Sequence, residues 1–171
     1  MAIYYGDGTN SSVGRLITVH QTAKRNASTY DIGAPPSFTG VMSITVTPTD
    51  SSTIHVIQWN CCYSINGGTT MGCRLLANTG SGNVIVDQGN VSGNRTTVTT
   101  AWSVKQNEHW NQDVGNVRYV HGTSNNITYT LDVYSHDGRA FSINRSYSDN
   151  NSAYMDNARS ISTLTVWEFS G

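Results

Sequence analysis

At 171 residues the chain is long enough for one domain that buries about two-thirds of its unfolded surface. Only 12% of residues are charged, and Ser, Thr and Asn make up about a third, a balance that disfavours helix and favours sheet and turn. The net charge of −1 excludes the basic footprint of a nucleic-acid or acidic-membrane binder, and no run approaches the ~18 apolar residues of a membrane span.

Residues 1–13 read as an arm. Gly6-Asp7-Gly8-Thr9-Asn10-Ser11-Ser12 is turn and linker chemistry, preceded by the apolar Ile3, Tyr4 and Tyr5, which are expected to dock on another subunit or a larger assembly. The start has neither a basic region nor an apolar core of the secretory kind, so no signal peptide is expected. Asn-x-Ser/Thr triplets, as at Asn26 and Asn90, are then chance products of composition.

Residues 14–171 read as one β-domain. Gly14–Arg25 carries the first strand, with Ile17 and Val19 alternating against Thr18 and His20. Ala34-Pro35-Pro36 fixes an extended connection. Phe38–Thr47 places Met42, Ile44 and Val46 on one face, and Thr53–Ile65 is apolar on both faces at its start, as a central strand should be. Asn66-Gly67-Gly68 is a hairpin signal. Met71–Ala77 and Asn83–Gln88 pair around Gly80-Ser81-Gly82. Thr96–Val104 is a further strand, whereas Gln106–Asn116 reads as a surface loop or a helical turn before a short strand at Val117–His121. Asn126–Tyr134 alternates cleanly, with Ile127, Tyr129, Leu131 and Val133 inward. His136-Asp137-Gly138 predicts a hairpin into Arg139–Tyr147, and Ser148–Ser160 a long loop. Ser160–Phe169, rich in β-branched and aromatic residues, is the clearest strand of the chain and is expected mid-sheet. Eight to ten strands without a convincing helix mean an all-β jelly-roll sandwich, with the first and last strands both apolar enough to be central.

Signatures of chemistry are scarce. The three cysteines, Cys61, Cys62 and Cys73, are not a disulfide framework and read as buried small side chains, with a bridge from Cys73 to either of the others left open. His20, His55, His109, His121 and His136 show no zinc-ligand spacing, so no metal is expected and each reads as structural or surface. Gly80-Ser81-Gly82 is a turn and not a nucleophile elbow. The loop carboxylates Asp137, Asp149 and Asp156 lack the ordered spacing of a calcium site and read as solvated turns. No catalytic residue and no cofactor are assigned. The loop residues His109, Trp110, Tyr147 and Tyr154 are candidates for stacking on a sugar or filling a partner's pocket. Arg95, Arg145 and Arg159 are candidates for tying loops or a subunit contact, because the planar guanidinium forks onto carboxylates and carbonyls.

Several stretches resemble a family of small phage structural proteins and fibre-tip domains. They are Gly14–Val19, Ser43–Thr49, Gly93-Asn94-Arg95, Asn126–Leu131, Ile143-Asn144-Arg145-Ser146 and Arg159–Glu168. The family closes on a similar Arg-Gly-x-Ser-Thr-x-Thr-x-Met-Glu strand, in which Ser160 here replaces the Gly and Trp167 the Met. The resemblance covers residues 14–171 and implies a jelly roll of the tumour-necrosis-factor and C1q kind. It further implies a homotrimer on a virion, made in the host cytoplasm. Two roles follow from it. One is a capsid decoration, cement or head-knob protein bound to the major capsid protein or another virion protein. The other is a tail-fibre tip that recognises host-surface glycans.

Overall fold

The computed structural model describes residues 3–4, 10–11, 14–30, 37–65, 67, 69–90, 93, 96–104, 111–146 and 159–171. Among them there is no helix. Strands β1 (Ile3–Tyr4) and β2 (Asn10–Ser11) form a separate two-stranded antiparallel ladder. The remaining strands are β3 (Leu16–Lys24), β4 (Ser28–Tyr30), β5 (Phe38–Val46), β6 (Ile54–Ile65), β7 (Thr69–Asn78), β8 (Asn83–Val86), β9 (Thr100–Val104), β10 (Asn111–Val120), β11 (Ile127–Ser135), β12 (Phe141–Ile143) and β13 (Ser162–Phe169).

These strands build a six-stranded and a five-stranded antiparallel sheet. Three pairs of strands lie end to end, each pair making one interrupted row. β3 and β4 run along β13 and β12, and those two share one edge of β6. β8 and β9 share one edge of β7. Each sheet therefore has four rows. Numbered along the chain, their orders are 1-8-3-6 and 2-7-4-5, the double Greek key of a jelly roll. The eighth row closes the fold between the first and third, as expected for the final strand. The first row does not match expectation. β3 pairs with β13 alone and is an edge, so Leu16, Ile17 and Val19 remain 41 to 43% exposed.

Strand alternation sets what lies between the sheets. His55, Ile57, Trp59, Cys61, Tyr63 and Ile65 of β6 point inward, as do Ile127, Tyr129, Leu131 and Val133 of β11, and Leu164 and Val166 of β13. Burying each large apolar side chain stabilises the fold by roughly 1.5–3 kcal/mol. Cys61 and Cys73 are buried, Cys62 is half-buried, and all three are free thiols. Burial pushes the Cys61 thiol up to about 12, with the nearby Asp113 adding to it.

Three local expectations need correction. Asn66-Gly67-Gly68 does not make a hairpin: β6 and β7 lie in different sheets, and the chain crosses the sandwich there, with Gly67 at φ +94°. His136-Asp137-Gly138 turns tightly, the Gly138 N–H donating to the Ser135 carbonyl at 3.2 Å, yet it too carries the chain from β11 in one sheet to β12 in the other. Residues 111–116 are neither loop nor helical turn but the first half of the ten-residue β10, paired along β6 from Tyr63 to Ile54. The Gly80-Ser81-Gly82 hairpin forms as expected, with φ of +100° and +114° at its two glycines.

One residue splices the interrupted rows. Asn144 is fully buried at φ +61°. Its backbone N–H donates to the Cys62 carbonyl and its own carbonyl accepts from the Ser160 N–H. Its side-chain amide donates to the Lys24 carbonyl at 2.6 Å, and its side-chain oxygen accepts from the Ser162 hydroxyl at 2.6 Å. β3, β6, β12 and β13 are thereby pinned at the point where β12 ends and β13 begins.

Candidate functional site

Polar groups gather at three places. The first is buried at one end of the sandwich. Strand pairing sets Glu168 opposite His55, and both point into the core. The hydrogen bonds there fix the His121 tautomer. The Thr123 N–H donates to His121 Nδ1 at 3.3 Å, so the ring's proton is on Nε2, which donates to Thr53 Oγ1 at 3.1 Å. The Thr53 hydroxyl donates to Glu168 Oε1 at 2.8 Å, and the Thr49 N–H donates to the same oxygen at 2.6 Å. His55 stacks 4.4 Å from His121, and its Nδ1 shares a 2.7 Å hydrogen bond with the Tyr129 hydroxyl. Burial, together with the neighbouring His121, lowers the His55 pKa to about 4. Burial alone would push the Glu168 carboxyl upward, but the hydrogen bonds from Thr49 and Thr53 outweigh it and hold the group below its ordinary value. A neutral imidazole pair beside a fully hydrogen-bonded carboxylate is a structural arrangement, enclosed by the two sheets. Sequence reading missed it because His55 and His121 stand far apart in the chain and show no spacing.

The second place links the two sheets. Asp113 Oδ2 accepts from Trp59 Nε1 at 2.7 Å, from the Cys73 thiol at 3.3 Å and from Thr100 Oγ1 at 3.4 Å. The indole of Trp59 lies flat over Gly115, its Cα partner on β10, where a Cβ would stand 2.1 Å from the ring.

The third is open to solvent. A shallow groove of about 840 Å³ crosses the outer face of the five-stranded sheet at its β7–β8 turn. Its floor is one line of cross-strand partners, Thr45, Thr128, Asn78 and Asn83. Thr45 and Thr128 share a 2.8 Å hydroxyl contact, and Asn78 Nδ2 donates to Asn83 Oδ1 at 2.9 Å. Ser124, Asn125 and Asn126 wall one side. Among the described residues the lining carries hydroxyls and carboxamides and no charge.

The residues singled out from sequence fall unevenly on this map. Ile3 and Tyr4 form β1; Tyr5, Arg95, His109, Trp110, Tyr147 and Tyr154 lie outside the described residues. Arg145 and Arg159 are brought together as partners of an isolated antiparallel bridge. The Arg145 guanidinium donates to Ser142 Oγ at 3.3 Å and to Thr29 Oγ1, and its carbonyl accepts from Ser64 Oγ at 2.8 Å. Asp137 is exposed, 3.7 Å from Arg139. Among the described residues no three His, Cys, Asp or Glu side chains converge as metal ligands.

No protein-family model matches the chain, and no curated protein does. Solved structures do. A chain of infectious bursal disease virus, Gx strain, superposes with a TM-score of 0.50 at 11% identity, covering 100% of this chain and 42% of that one. A chain of the Gt strain gives 0.47 at 13% identity, and VP2 of the subviral particle of the same virus gives 0.45 at 10%, with the same coverages. The chain thus spans under half the length of the viral chains it matches, and at these identities the likeness is one of fold.

Proposed function

We propose that the chain is a non-enzymatic structural subunit of a virus particle, associating with copies of itself and with other virion proteins. The observation that carries this reading is the double Greek key of this chain, over whose whole length a chain of a virus structure superposes with a TM-score of 0.50. The His121–Thr53–Glu168 network and the Asp113 clasp support it, because their hydrogen bonds join strands and sheets. Within the particle the role is that of a homotrimeric decoration, cement or head-knob protein. Its residues 1–13, with Ile3, Tyr4 and Tyr5, hold the major capsid protein, and Arg95, Arg145 and Arg159 tie loops or the trimer contact. Labelling this protein on purified particles tests the reading: many copies over the head are expected, and its absence from particles would refute it.

The uncharged groove favours a second reading, a receptor-binding tip for host-surface glycans. Paired hydroxyls and carboxamides offer donors and acceptors to a neutral sugar and no counter-charge to an anion. His109, Trp110, Tyr147 and Tyr154 would serve as further contacts. Here a glycan array should return neutral saccharides whose binding weakens in Asn78→Ala and Thr128→Val; a blank array would refute it.

A further inference from the structure

The outer face of the six-stranded sheet is built unlike a solvated face. Across β3, β13, β6 and β10, strand register lays out a four-by-four array of outward side chains. Its first line is Leu16, Phe169, Ile54 and Val120, and its second begins Val19, Trp167 and Val56. An antiparallel sheet with one wet face alternates apolar inward and polar outward, and these lines break that rule on four adjacent strands. Leu16 and Val19 are each 43% exposed and Val120 58%. The other two lines hold Gln, Thr, Asn, Ala and Val, so the array carries a single charge, Arg118, on the edge strand β10.

We infer that this face is the contact with a second copy of the chain. Contiguous exposed apolar surface of this kind marks an interaction site. Two properties select a like partner. An array with one rim cation gives an oppositely charged protein almost nothing to grip, whereas two such faces meet with Arg118 at the edge and no charge at the centre. The area also suits it. Four rows about 4.8 Å apart and eight residues of about 3.3 Å rise span about 500 Å², which doubled over two copies reaches the roughly 1,000 Å² of a specific interface. The two apolar lines then meet at one end of the contact, and the Gln, Thr and Asn lines supply hydrogen bonds towards the other. This surface rests on the reading of the chain as a particle subunit and adds to it a two-fold contact between copies, separate from the three-fold contact proposed above.

Sedimentation of the purified chain from micromolar to submillimolar concentration tests the contact, with Val19→Lys and Val120→Lys as variants. Val84→Lys, 51% exposed on the edge strand β8 of the other sheet, is the control. All three sites are exposed, and circular dichroism with thermal melting confirms folding. The expected result is self-association of wild type and of the control, weakened roughly tenfold or more in the two variants. Hydrogen exchange on the wild type needs no variant: amides of 16–23 and 114–120 should gain protection as concentration rises. A wild type that stays monomeric overturns the contact, as does equal loss in the control. Protection of this face at low concentration without association would assign it to the chain's own residues 1–13, and also overturns it. Detection of the chain in purified particles is a separate readout, so either proposal can fail without the other.

Discussion

Lowering the pH from 7 to 5 should cost the fold about 2 kcal/mol, and the loss should trace to His55. The imidazole is fully buried, 4.4 Å from the His121 ring, with Nδ1 bonded to Tyr129 and Nε2 without a partner among the described residues. Its pKa falls from 6.5 to about 4, chiefly through burial and then through His121. Because the folded pKa is depressed, the unfolded chain takes up a proton near pH 6.5 while the folded chain does not until about pH 4. Stability is therefore full above the unfolded value and falls as pH drops through that window. At 1.36 kcal/mol per unit, the difference accumulated by pH 5 is about 2 kcal/mol. His121, whose pKa is also lowered by burial, acts with the same sign. Glu168, held below its ordinary value, withdraws its own contribution only at more acidic pH. Urea unfolding at pH 7, 6 and 5 measures the slope, and His55→Gln should flatten it. An unfolding free energy that is level from pH 7 to 5, or an unchanged slope in the variant, would refute the reasoning.

Gly115→Ala drives a methyl into the Trp59 ring at 2.1 Å, which an overpacked core resists by about 1–3 kcal/mol; urea unfolding and a shifted Trp emission report it. Asn144→Ala removes the amide from the Lys24 carbonyl and the acceptor from Ser162, and it strains a φ of +61°, for an expected loss of about 2–4 kcal/mol. Asn144→Gly relieves the backbone alone and should recover part of that loss in the same assay. Arg74→Ala strips Asp132, 6% exposed and 3.0 Å from Arg74, of its ion pair, and Phe38 of the guanidinium 3.8 Å above its ring. Thermal melting should fall as for a buried unpaired carboxylate, about 3 kcal/mol, and Arg74→Ala with Asp132→Asn should restore much of it.

The strands most easily read from sequence are those in which apolar and polar residues alternate. β11 alternates from Ile127 to Val133, and β13 sets Leu164 and Val166 against Thr163 and Thr165, so period alone located them. β10 was illegible because its inward positions include Asp113 and Gly115. Asp113 is inward as an acceptor for Trp59, and Gly115 leaves room for the same indole. Both reasons live on β6, far away in sequence, and no window on β10 contains them. The turns at Gly67 and Gly138 show another limit. Glycine at positive φ dictates that the chain bends there but not which sheet the next strand joins. In a sandwich, a corner and a hairpin can share the same turn chemistry. The edge position of β3 was hidden for a related reason, since apolar side chains that serve a neighbouring molecule read like those that serve the core.

The splice at Asn144 sets how this protein can change. The closing row is cut between β12 and β13, and both cut ends are held in place by Asn144 and by the Arg145–Arg159 bridge. Register on both sides of the cut is thereby set by one buried carboxamide, so the two halves of the row stand or slip together.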